Sequence, residues 1–244
     1  MLIDYFYNET VFKFLIWAVI SALGYLISFL NTKKIRMSAR CSSCMSKWCI
    51  TDGNYFDVGH FNKTSQEWAY SVAYTLLIGS CHFYFANVVN RIEFEWINLL
   101  YVLPIYITIV GFGYLGELKG AQTSCSSSSI KNWPMMSKVL YSIAFILLFV
   151  NLGFHLYLAY LDKTIFWYVM FIAAAATIIA VSYKIVKKQD SLIDLHIHHW
   201  FIGFMGGLLF RFNHPISIVS YGICYGLILE EAVVYGLDSI FSDT

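Results

Sequence analysis

Two stretches decide how this chain folds: His199-Trp200-Phe201-Ile202-Gly203-Phe204-Met205-Gly206-Gly207 and, past a turn at His214-Pro215, Gly222-Ile223-Cys224-Tyr225-Gly226-Leu227-Ile228-Leu229-Glu230-Glu231. His199, Gly203 and Gly207 step by four residues, as do Gly222, Gly226 and Glu230, so each set marks one face of a helix. Folding back at His214-Pro215 sets Gly207 opposite Gly222, Gly203 opposite Gly226 and His199 opposite Glu230. Small residues four apart let helix backbones approach closely inside a bilayer. The expectation is an antiparallel hairpin over 196–236 that brings a histidine and a carboxylate together where ionisable groups are costly.

The rest of the chain supports a membrane setting. Of its 244 residues 59% are hydrophobic and only 13% charged, with a mean hydropathy of +0.63. A soluble domain is nearer half apolar and a quarter charged. The net charge of +1 offers no field that would favour nucleic acid. The lipid bilayer is the first partner to expect, and other membrane subunits are a second. No cleavable signal peptide is evident, because the first apolar stretch is span-length and lacks a small-residue cleavage site.

Apolar stretches long enough for roughly 30 Å of hydrocarbon run over 10–31, 68–90, 95–116, 137–160, 164–184, 196–212 and 215–236. The fold class expected is all-α, a polytopic bundle of about seven transmembrane helices forming a single domain over 1–244. The sixth stretch is short and carries histidines, so six spans plus a re-entrant hairpin stays open. Lys and Arg set orientation. Lys33, Lys34, Arg36, Arg40, Lys47 and Lys63 share the loop 32–67. Lys119, Lys131 and Lys138 follow in the third loop, and Lys184, Lys187 and Lys188 in the fifth. Only Arg91, Lys163 and Arg211 fall on the other side. The bias places the N-terminus outside and the C-terminus in the cytosol or its organellar equivalent; it does not say which membrane. It also places Asn62-Lys63-Thr64 inside, so this glycosylation pattern is expected to stay bare.

Within the C-terminal hairpin, His196 and His199 share a helical face at i, i+3, and His198 lies between them. Glu230 and Glu231 end the following helix at the same depth under this topology. Imidazole and carboxylate together suit a divalent transition metal, zinc above all. His196, His198, His199 and Glu230 are the candidate ligands, and Glu231 the candidate catalytic proton carrier. Three protein ligands and an open position would lower the pKa of a bound water and make it a hydrolytic nucleophile. The chemistry implied is a metal-dependent hydrolase acting on a lipid or a membrane-embedded substrate. Two other readings use the same residues: a His199–Glu230 pair that only fixes hairpin register in an accessory subunit, and an ion or proton conductor.

His196-x-His198-His199-Trp200-x-x-Gly203, followed by Gly226-Leu227-x-x-Glu230-Glu231, resembles a group of uncharacterised prokaryotic membrane proteins with a His-Ile-His-His…Gly motif and a Gly-Leu-x-x-Asp-Glu motif. Glu230 stands where that pattern has Asp. The last 50 or so residues also resemble the C-terminal block of fungal LCCL-domain membrane proteins, through 195–199, Arg211-Phe212 and Gly236-Leu237-Asp238-Ser239-Ile240. No LCCL domain is present. The likeness implies a His/acid site and carries no reaction with it.

Two weaker constellations remain. Cys41, Cys44, Cys49 and His60 in the basic loop 32–67 have the donor types of a closed zinc site, but the spacing matches no standard finger. His82 and His155 lie in the second and fourth stretches, where a histidine pair can ligate haem. Hydrogen bonding to a neighbouring helix is the plainer reading of both.

Overall fold

The computed structural model describes residues 2–38, 48–51, 54–57, 65–92, 98–115, 133–189, 193–195, 199–234 and 241–243, with the backbone alone described at several element ends. Among them are seven α-helices: α1 (Leu2–Ser38), α2 (Ser65–Phe85), α3 (Leu99–Leu115), α4 (Met135–Leu161), α5 (Ile165–Gln189), α6 (His199–Leu209) and α7 (Pro215–Val234). Two short antiparallel ladders stand beside them. β1 (Trp48–Thr51) pairs with β2 (Asn54–Asp57), and β3 (Ile193–Leu195) with β4 (Phe241–Asp243). Four helical stretches are long and apolar enough to cross a membrane: Glu9–Asn31, Met135–Leu161, Ile165–Lys188 and Pro215–Val233. The molecule is a helical, membrane-embedded protein.

The helix ends follow from local chemistry. α2 stops at Phe85, and Asn87 then takes a left-handed φ of 61°, a conformation that Asn tolerates better than most residues. α7 opens with Pro215, whose missing N–H costs nothing at a first helical position. The His214 ring Nδ1 accepts the Ile216 N–H at 3.2 Å and so caps that end. Inside α3, Pro104 cannot donate to the carbonyl four residues back. α6 is the short one: its eleven residues rise about 16 Å, half the hydrocarbon thickness.

Contacts divide the chain into two compact units, Met1–Tyr114 with Gly203–Leu237 and Leu115–Ile202 with Asp238–Thr244. In the first, α7 is the central helix; 83% of its candidate span is buried, against 22% for α1. Its neighbours can be ordered by their contacts. Trp17 and Ser21 of α1 meet Tyr225, and Gly24 lies against Leu229, so α1 and α7 run the same way. Tyr101 of α3 meets Tyr221 and Thr108 lies against Gly226, again parallel. α2 is antiparallel, since His82 meets Tyr221 while Ser71 donates to the Ala232 carbonyl. α6 is antiparallel as well, with Gly207 beside Tyr221 and Gly203 beside Ile228. Directions within this unit therefore alternate along the chain, as successive crossings require.

The second unit is built on the α4–α5 pair. Its tight turn places Lys163 at φ 57°, with the Thr164 N–H closing onto the Ala159 carbonyl at 2.8 Å. Only 6% of either span is buried, and Ile146, Phe149, Trp167 and Ile178 are among the exposed side chains. Apolar surface of that extent belongs against hydrocarbon rather than water.

Candidate functional site

His196 and His198 lie outside the described residues, and of His199 the backbone alone is described, at the start of α6. Glu230 and Glu231 are side by side near the end of α7, only 6% and 2% exposed. Cys41, Cys44 and His60 are outside the described residues; Cys49 sits on β1 opposite Phe56. No group of three or more His, Cys, Asp or Glu able to hold a metal occurs among the described residues.

The glycine register is half right. Gly203 and Gly207 are level with the α7 residues expected from an antiparallel hairpin, but the two stripes do not face each other. A Cβ on Gly203 would stand 2.5 Å from the Cys224 carbonyl oxygen and 3.0 Å from the Ile228 side chain. A Cβ on Gly206 would meet the Cys224 sulfur at 2.7 Å. Gly222 and Gly226 instead turn to α3: Cβ atoms there would lie 3.0 Å from the Tyr101 carbonyl oxygen and 2.8 Å from that of Ile105. The reason is that α7 is central. Several helices compete for its faces, and α3 takes the glycine face at the Pro104 turn.

This resolves the faces of α7. Cys224, Leu227 and Ile228 form the line that faces Gly203 and Gly206 of α6, and Glu231 stands two turns beyond Cys224 on α7. Glu230 continues the line Gly222–Gly226 that faces α3, next to the open line of Ile216 and Ile223. The two carboxylates are thus about 100° apart around the helix.

A polar interior, of which the sequence marked His82 as a candidate for interhelical hydrogen bonding, runs along the opposite half of α7. Ser21 Oγ and the Tyr225 hydroxyl are 2.8 Å apart, and the Trp17 indole N–H donates to the Gly79 carbonyl at 3.0 Å. His82 is fully buried; its Nδ1 pairs with the Tyr221 hydroxyl at 3.2 Å, and Gly207 leaves the room for its ring. Tyr221 and Tyr225 stack at 5.9 Å with 10° between their planes. Arg91 is buried beside them. Its Nη1 donates to the Phe210 and Phe212 carbonyls at 2.8 and 3.2 Å, its Nη2 to Ala86 and its Nε to Asn87 at 3.3 Å. The Tyr221 and Tyr101 rings lie 5.3 and 5.7 Å from its guanidinium carbon. Arg91 thereby caps the carbonyl ends of α2 and α6 at once, a favourable place for a cation. Tyr221 and Tyr225 at i, i+4 were the available sequence signal. In a chain this rich in aromatics such spacing carries little weight.

His155 belongs to the second unit, where its Nδ1–H donates to the Asn151 carbonyl at 2.7 Å, one turn back on its own helix. Fold and buried polar groups together define the class as an all-α, multi-pass membrane protein. Compared with family models, with curated proteins and with solved structures, the chain matches none.

Proposed function

We propose that this is a metal-dependent integral membrane enzyme, a hydrolase of a lipid or membrane-embedded substrate, working through the acidic end of α7. The observation that carries this reading is the burial of two adjacent carboxylates, Glu230 and Glu231, on the most deeply packed helix. Carboxylates withdrawn from water must be hydrogen-bonded, paired with a cation, or bound to a metal. The chain offers imidazole donors in His196, His198 and His199, and imidazole with carboxylate is the donor set of zinc hydrolases. Zinc bound this way would supply an activated water. The carboxylate not bound to the metal would carry the proton.

The orientation proposed with it has the N-terminus outside and the C-terminus on the cytosolic side or its organellar equivalent, on the strength of the Lys and Arg bias. Alternating helix directions in the first unit fit successive crossings and are the same for either orientation.

Elemental analysis of purified protein tests the reading. About one zinc or related transition metal per chain is expected in the wild type, reduced in His199→Ala. A wild type free of transition metal overturns it.

A further inference from the structure

We propose that the lysine-bearing end of the α4–α5 pair binds the phosphate of an anionic phospholipid. Lys184 and Lys188 are its cationic ligands, and the apolar face below them is the bed for its acyl chains. Thr177, Val181, Lys184 and Lys188 follow one another at i, i+4, i+7 and i+11, so they share one face of α5, and all of them are exposed. Ile178 and Ile185 flank that face at 66% and 54% exposure. Counted from Ile165, Lys184 and Lys188 stand about 28 and 34 Å along the helix, on either side of a hydrocarbon thickness of about 30 Å. Their ammonium groups thus reach headgroup depth directly above aliphatic side chains. Side chains one turn apart on a helix have β carbons about 6 Å from each other, which lets two ammoniums converge on one phosphate.

The charge distribution of the hairpin calls for an anion at this end. Neither α4 nor α5 contains a carboxylate. The tight turn folds α5 back along α4, so Lys138 in the first turn of α4 comes to the same end as Lys184, Lys187 and Lys188. At the turn itself, Asp162 and Lys163 cancel. Lysines in the last turn of α5 suit its helix dipole, but Lys138 stands near a helix N-terminus, where the dipole disfavours a cation. A negative membrane surface favours lysine at both places. Trp133 and Tyr141, with rings 4.5 Å apart, add at the same end the aromatic side chains common at an interface. Zwitterionic headgroups have no net charge to match these cations; an anionic phospholipid does.

Native mass spectrometry of full-length protein released from detergent measures the preference, using phosphatidylglycerol and phosphatidylcholine with identical acyl chains. Wild type is expected to retain phosphatidylglycerol about fivefold better or more, since each engaged lysine is worth roughly that factor. The paired substitution Lys184→Gln and Lys188→Gln should bring the two lipids within about twofold of each other. Unchanged phosphatidylcholine binding by that variant, and a preference kept by Lys184→Arg with Lys188→Arg, separate lost charge from lost folding. Lys163→Gln, at the turn, should leave the preference as in wild type. Equal retention of the two lipids by wild type, or a preference that survives the paired Gln substitution, overturns the proposal. So does displacement of phosphatidylglycerol by millimolar inorganic phosphate, which would mark a site for the free anion instead.

Discussion

Arg91 shows how much one residue can hold here. The residue is 1% exposed, and its guanidinium meets four backbone carbonyls and two tyrosine rings. Only the planar fork of arginine reaches carbonyls from two helix ends while lying against aromatic faces. Lysine keeps the charge, but its three donors on one nitrogen cannot serve that spread of acceptors. Arg91→Lys is therefore expected to cost about 2 kcal/mol or more, through buried carbonyls left without donors. Arg211→Lys, at an exposed position in the turn between α6 and α7, should change stability by no more than about 0.5 kcal/mol. Denaturant unfolding in detergent micelles compares the two; an Arg91→Lys protein as stable as wild type would deny the clamp. In the sequence Arg91 is one of three sparse outer cations, and nothing distinguishes it from Lys163 or Arg211. Its four acceptors are backbone atoms from distant segments, which side-chain pattern does not encode.

At the scale of elements, the glycines of α7 and α6 are packing surfaces whose partners differ. Alanine at 203 would push a methyl to 2.5 Å from the Cys224 carbonyl, and alanine at 226 to 2.8 Å from that of Ile105. Backbone cannot give way as a flexible side chain does. Gly203→Ala and Gly226→Ala are each expected to destabilise by about 1–3 kcal/mol. Gly153 on α4 has nothing within 4 Å of its would-be Cβ. There, alanine removes a helix-weakening glycine and should stabilise by up to about 1 kcal/mol. Unfolding midpoints of the three variants in one detergent test this, and a Gly226→Ala protein at least as stable as wild type would refute the close α3–α7 approach. Spacing revealed that both stripes are helix faces. It could not reveal which neighbour each face meets, because a buried helix presents a usable face to every side.

For the whole molecule, the first unit supplies a directional test. α1, α3 and α7 run one way, α2 and α6 the other, so Ser71, Gly203, Glu230 and Glu231 gather toward one end. In the orientation proposed from the Lys and Arg bias, that end is the cytosolic one. In sealed vesicles, with the native cysteines replaced, a cysteine at Lys163 is expected to react with a membrane-impermeant reagent from outside. A cysteine at Lys187 should react only after permeabilisation. The opposite pattern would overturn the orientation proposed from the Lys and Arg bias.

Sequence alone determined the all-α membrane class, the positions of seven helices and the turns that separate them. Apolar run length and proline placement are local properties, and the bilayer makes helix the way to satisfy backbone polar groups. It also exposed the acidic pair, because two carboxylates at the end of an apolar run stand out in composition. Only tertiary structure decided that α7 is central in its unit and that α3 and not α6 covers Gly222 and Gly226. The physical reason is that periodicity fixes angles around one helix axis. Which neighbour fills each angle is settled by packing among all of them at once.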